Sequence, residues 1–427
     1  MCLLSPITRL RYILAFLLCL LLAACSLSAA PATPSYVPPS MTDKTLVVAW
    51  VENGNLVVWT QGEDLPRRVA SGGVIRPYLA PDGAHIAFTR GPGGEPQSLW
   101  VVDSAGQAEQ ELVPNDRLRP FQGGRPVIGE VAWLDNEVLY FNTGQVYATG
   151  QERQDDLWRA NRRTREVVLI LPRTDGGQFA ISPDRQLIAV VYPGTYGRQD
   201  GRIRIVDPLG LRDARDLLFF TGVSTGAEYK FYPDVFWETD SSALRVAIPD
   251  PDLVYDDVNS PPADLWRLGV DGTRERLGAA SASFFGLPQW AESGFGLVYL
   301  RRMDAATSNR FELVVANGDG TEATGYITGE VGELGPPSWL PDSSQFAFVQ
   351  GEPGTYWLGR QGAPPRRLPD DRSAMFNPVF VGDDSYVYAS AQTDSFEVRY
   401  ARLDSASVTI ATVNSPVPVL DVVLVAP

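Results

Sequence analysis

The sequence predicts an all-β protein, a single β-propeller of four-stranded blades, and three observations carry that reading. A short turn-and-strand unit recurs seven times along the chain. Each recurrence is followed by another apolar strand that ends in its own Asp-, Gly- or Ser-rich turn. No amphipathic helix of useful length follows Thr42.

The recurring unit begins with APDGAHIAFTR at Ala80 and WLDNEVLYFNT at Trp133. ISPDRQLIAVVY at Ile181, WETDSSALRVAI at Trp237 and WAESGFGLVYLRR at Trp290 continue it. WLPDSSQFAFVQ at Trp339 and FVGDDSYVYASA at Phe380 complete the set. The turn residues Asp82, Asp135, Asp184, Asp240, Ser293, Asp342 and Asp383 lie 41 to 56 residues apart, the length of one blade. Asp82, Asp184 and Asp342 suit Asx-type bonds to their own turn backbone, and Trp133, Trp237, Trp290 and Trp339 suit packing between blades. Third strands follow, as in SLWVVD at Ser98, DLWRAN at Asp156 and DLWRLG at Asp264. Alternation along them fits strands with one face packed on a neighbouring blade.

Seven units start near Val74, Glu130, Gln178, Tyr232, Leu287, Pro336 and Asn377. Before them, TLVVAWV, NLVVWT and PRRVA supply three strands without an innermost one; after them, VLDVVLVAP supplies one lone strand. Pairing these leftovers removes two exposed edges and makes eight blades, one split between the termini. Seven blades, with the last strand used otherwise, is the alternative count.

The turn W-x-P-D-x-x-x-x-A-F followed by L-W-x-x-D resembles the TolB-like, WD-repeat-like propellers, and also those of dipeptidyl-peptidase and prolyl-oligopeptidase relatives. The resemblance spans about residues 45–427. It implies the fold, and it lacks both the α/β domain ahead of the TolB propeller and the hydrolase domain of the peptidases.

The N-terminus indicates the compartment. Arg9 and Arg11 precede an apolar run from Tyr12 to Ala24, shorter than the about 20 residues of a bilayer span and fitting a signal peptide over 1–24. Leu22-Ala23-Ala24-Cys25 resembles a bacterial lipobox, which implies acylation of Cys25 and a lipid-anchored, extracytoplasmic place in the cell envelope. Residues 25–42, rich in Pro, Ala and Ser, read as an extended tether reaching on the order of 50 Å at ~3.1 Å per residue. The propeller then occupies 43–427. Cys2 and Cys19 leave with the signal peptide, so no disulfide is expected.

Charge narrows the partners. The chain carries −15 at pH 7, and loses two more positive charges with Arg9 and Arg11. Such a surface repels nucleic acid. The expected ligand is a protein, peptide or glycan, with membrane contact through the acyl chains alone and no cofactor.

Chemistry is sparse. Gly222-Val223-Ser224-Thr225-Gly226 matches G-x-S-x-G, yet no helix follows it, and the one histidine, His85, lies upstream in a strand. A glycine-serine loop accounts for it. Asp250, Asp252, Asp256 and Asp257 crowd one loop and are the candidate calcium ligands, without the EF-hand spacing. Asn317-Gly318-Asp319-Gly320 falls where a strand turn is needed. An envelope enzyme using loop carboxylates on polysaccharide or peptide is the alternative to a recognition or scaffold propeller.

Topology suggests where recognition occurs. First-to-second and third-to-fourth turns share one face, here called the turn face. Second-to-third loops and blade connectors share the opposite, long-loop face. The irregular segments expected there are 114–129, 142–155, 193–201, 219–231 and 249–263. Rigid scaffolds present binding residues on such loops, and Tyr147, Tyr196, Arg198 and Tyr255 are the candidate contacts.

Overall fold

A computed structural model describes residues 44–426 apart from 92–96, 119–122, 149, 211, 226–229, 253–260, 282–286, 304–309, 331, 342–343, 353 and 370–372. It forms an eight-bladed propeller. Blade 1 orders Val74–Leu79, His85–Arg90, Ser98–Asp103 and Gln110–Val113 from the inside outward, every pair antiparallel. Blade 4 orders Val235–Trp237, Ala243–Ile248, Ala263–Gly269 and Arg274–Ala280 in the same way. Blades 3, 5, 6 and 7 repeat the plan over 178–220, 289–330, 338–368 and 375–413. The strand starts match expectation within three residues except in blade 2, whose inner strand begins at Arg125.

The eighth blade is the split one. Leu420–Val425 takes the innermost place beside Thr45–Glu52, with Asn55–Thr60 and Arg67–Ala70 outside it. Its register runs from Thr45↔Val425 to Trp50↔Leu420. The closing strand also reaches blade 1, where the Leu79 backbone N–H donates to Asp421 Oδ2 at 2.5 Å. Burial raises the Asp421 pKa to about 6, against the pull of that bond. The ring therefore closes by backbone pairing of the chain's two ends, and the seven-blade count is set aside.

The core lies between blades. Ala87 and Val101 of blade 1 pack with Leu139 and Phe141 of blade 2, and Tyr140 and Leu157 pack with Ile188 and Val190 of blade 3. Second strands are therefore buried on both faces, as Ile188–Tyr192 is throughout. Their continuous apolar runs replace the alternation expected of a strand packed on one face. Every third-to-fourth strand pair carries one register shift, at Leu99/Trp100 in blade 1 and Leu265/Trp266 in blade 4. Such bulges add the twist an outer strand needs.

The repeated residues act as expected. Trp133, Trp237 and Trp339 donate their indole N–H to the carbonyls of Tyr78, Ala180 and Gln289, each on the inner strand of the preceding blade, at 2.8–3.0 Å. Trp290 departs by bonding Gly318 within its own blade. Asp82, Asp135, Asp184 and Asp240 each accept the N–H two residues on. Asp319 does the same with Thr321, so its loop is a turn. Asp342 lies outside the described residues.

Candidate functional site

Blade 2 breaks the pattern on the long-loop face. Its second strand, Val138–Tyr147, is ten residues long and pairs with the inner strand Arg125–Trp133 along one side. On the other side its lower half meets the third strand, Leu157–Asn161, and its upper half meets an added strand, Gly150–Arg153. The segment 142–155, expected to be irregular, is thus mostly a β-hairpin. Pairing continues because the extended inner strand runs alongside it.

Between hairpin and third strand the chain crosses back through Gln154, Asp155 and Asp156. Asn142, Thr143, Gln145, Gln154, Asp155 and Asp156 are six of the thirteen buried polar side chains among the described residues. Such a concentration calls for hydrogen bonds, and most of these groups have them. Asp156 accepts from the Thr143 N–H at 2.7 Å, the Thr143 hydroxyl at 2.6 Å and the Trp158 indole at 2.7 Å. Burial still raises its pKa, against those bonds. Asn142 accepts from the Glu130 N–H and donates to the Gly177 carbonyl.

Asp155 faces a different set. Its carboxylate, 1 % exposed, accepts from Lys230 Nζ and from the Tyr232 hydroxyl, both at 2.5 Å. The Tyr232 pKa rises, first through burial and then through that carboxylate. Arg153 lies 4.7 Å from the Tyr232 ring centroid, and Lys230 lies 5.7 Å from that of Tyr192. The connector from blade 3 to blade 4 is thereby fixed onto blade 2. Gly176 is required beside it, since a Cβ there would sit 2.4 Å from the Asp156 carbonyl carbon.

On the Asp156 side a cavity of about 1000 Å³ opens. Thr143, Gln145, Gln154 and Asp156 are its buried polar lining, Val167, Val168 and Leu169 an aliphatic wall, and Asp116, Arg117 and Arg173 line it from the two connectors. The Gln154 Nε2 group is buried without a hydrogen-bond partner.

The residues expected to bind are placed as follows. Tyr147 ends the long strand, half-buried against Gly124. Tyr196 is 48 % exposed, and its hydroxyl donates to Asp252, a bond that raises its pKa. Arg198 is exposed in the same turn, where its N–H donates to the Thr195 carbonyl. The loops of blades 3 and 4 thus meet through Tyr196 and Asp252, while Tyr147 stays on blade 2. Asp250 accepts the Asp252 N–H at 2.9 Å. Tyr255, Asp256, Asp257 and Cys25 lie outside the described residues. Among the described residues no three acidic, histidine or cysteine side chains gather to hold a metal.

The described part of the G-x-S-x-G stretch, Gly222–Thr225, is a loop, with Gly222 pressed against the Thr195–Tyr196 backbone and the Ser224 N–H bonded to the Pro251 carbonyl. His85 stands at the turn-face end of blade 1, 3.6 Å from Asp82. Serine and histidine therefore lie on opposite faces.

No family model matches the chain, and no curated protein matches its sequence. Solved structures share its fold. A eukaryotic initiation factor structure is 13 % identical at a TM-score of 0.51, over 86 % of this chain and 84 % of that one. A prolyl endopeptidase structure is 13 % identical at 0.53, over 81 % of this chain. The chain spans 50 % of that endopeptidase's length. TolB from Acinetobacter baumannii is 15 % identical at 0.31, over 65 % of this chain and 62 % of that one. At these identities the first two likenesses establish the propeller fold alone.

Proposed function

We propose that the protein is an envelope-tethered recognition propeller whose ligand meets the long-loop face over blades 2 and 3. The observation that carries this reading is the polar cavity at the top of blade 2. The seven other buried polar side chains among the described residues are spread over blades 1, 3, 4 and 7, whereas six gather between Asn142 and Asp156. Convergent polar groups in a concave, partly aliphatic pocket are the usual form of a ligand site. Both oxygens of Asp156 are engaged, which favours binding over acid–base chemistry.

The tether fits this orientation. Thr45 opens the second strand of the split blade at its turn-face end. The described chain therefore begins on the side opposite the long loops. Cys25→Ser should abolish incorporation of labelled palmitate in a bacterial host; a wild-type protein that takes up none defeats the anchor.

The face is tested by retention of envelope glycan and peptide fractions on the immobilised protein. Arg117→Ala and Tyr196→Ala should each weaken retention, by about 1 kcal/mol or more at the stronger. Ser344→Ala, on the turn face, should leave it unchanged. The reverse pattern would move the site to the turn face.

A further inference from the structure

We infer that the blade 2 cavity binds a sugar acid, a hydroxylated ligand of saccharide size bearing one carboxylate; this rests on the binding reading above and names its ligand. The argument starts from Gln154. Its side chain is 6 % exposed, it lines the cavity, and its Nε2 group has no hydrogen-bond partner. A buried amide N–H₂ left unpaired is costly, so its retention at the cavity wall points to an acceptor brought by a ligand.

The nearby cations say which acceptor. Arg117 and Arg173 line the same cavity from the two connectors. Arg173 lies 3.5 Å from Glu152, and Arg117 donates to the Val167 carbonyl at 3.2 Å. A guanidinium carries five N–H donors, more than the one bond that Arg117 makes. Asp156, the buried carboxylate beside Gln154 in this cavity, is already engaged on both oxygens. Fork-shaped donors beside an unpaired amide suit a carboxylate.

The remaining lining gives the rest of the ligand. Asp116 is an exposed carboxylate at the cavity and can accept from hydroxyls. Val167, Val168 and Leu169 offer an aliphatic surface for the C–H face of a sugar ring. The edge of the outer strand does not read as a peptide track, since Arg117 covers the Val167 carbonyl that an added strand would need. The volume, about 1000 Å³, leaves room for more than one sugar unit. The carboxylate can therefore come from a free sugar acid or from the end of an acidic polysaccharide.

The test is calorimetric titration of the detergent-solubilised full chain with glucuronate, a glucuronate-containing oligosaccharide and glucose. Glucuronate or the oligosaccharide should bind at least tenfold more tightly than glucose. Tighter binding of the oligosaccharide assigns the polysaccharide source, and equal binding the free acid. Gln154→Leu should lower affinity at least tenfold while holding or raising the melting temperature, because it removes an unpaired buried amide. Arg173→Gln should lower affinity and flatten its salt dependence. Equal binding of glucose, or full affinity in Gln154→Leu, overturns the proposal. If no sugar acid binds while Arg117→Ala still loses the envelope fraction, the ligand class is wrong and the binding face stands. If Arg117→Ala and Tyr196→Ala retain that fraction in full, the face itself is wrong.

Discussion

Blades 2 and 4 carry the same four residues, Asp-Leu-Trp-Arg, at the start of their third strands, and the two aspartates live in different chemistry. Asp264 in blade 4 is 42 % exposed and pairs with Arg276 at 2.6 Å. Asp156 in blade 2 is buried, forms no ion pair among the described residues, and is held by Thr143 and Trp158. The outer strands explain the difference. Trp266 stands opposite Arg276 in blade 4, whereas Trp158 stands opposite Leu169 in blade 2. One outer strand reads RERLGAA and the other VVLIL, so only the first can supply a charge. The same motif is a surface ion pair in one blade and the floor of a cavity in the other.

The sharpest way to break this comparison is to remove the buried carboxylate. Asp156→Ala leaves two Thr143 donors and the Trp158 indole without their acceptor, and should cost about 3 kcal/mol by urea denaturation. A loss under about 1 kcal/mol would mean that water replaces the carboxylate and the site is less closed than described.

The closing strand supplies a second carboxyl raised by burial, Asp421, at about 6. Its folded pKa lies above the ordinary value of 3.8. The folded protein therefore binds this proton more tightly than the unfolded chain, and loses stability as pH rises from about 4 through about 6. Asp421→Asn keeps an acceptor for Leu79 and should be the more stable protein above that window, by on the order of 2 kcal/mol. Parallel stability-against-pH curves for the two proteins would show that Asp421 titrates normally.

Leu169→Arg converts the blade 2 environment into that of blade 4. Leu169 is 44 % exposed, so the longer side chain has room. A guanidinium near Asp156 should lower its pKa and reduce the fall in stability with rising pH by ~1 kcal/mol. The carboxyl resonance of Asp156 followed by NMR reads this directly, and an unmoved titration midpoint would separate the two sites. The smallest effect belongs to Asp264→Ala, where an exposed ion pair is lost: about 0.5 kcal/mol or less. A cost near that of Asp156→Ala would erase the distinction between the blades.

Much of the fold was legible because its determinants are local. Asp82, Asp184 and Asp240 bond to amides two residues on, and strand alternation needs only neighbours in the chain. The split blade was readable too, since three strands without an inner partner and one strand without any are a matter of counting. The candidate site is less legible in the sequence. Tyr196 and Asp252 stand out in the sequence as a contact for a protein, peptide or glycan and as a candidate calcium ligand, and the structure joins them to each other. Asp155, Gln154, Lys230 and Tyr232 were passed over. The one signal available was the acidic pair Asp155-Asp156 followed by an outer strand without charge.

By itself, the sequence determined a ring of four-stranded blades, favoured eight of them with a split closing blade, and indicated which face carries the long loops, because each follows from turn chemistry, strand count and antiparallel alternation. Only the tertiary structure decided which polar residues are buried and what they meet. Asp155 is completed by Lys230 and Tyr232, 75 and 77 residues away, through a connector folded across a neighbouring blade. Burial and partner choice depend on what the ring brings alongside each residue, and a repeat that looks the same in two blades carries no record of its neighbours.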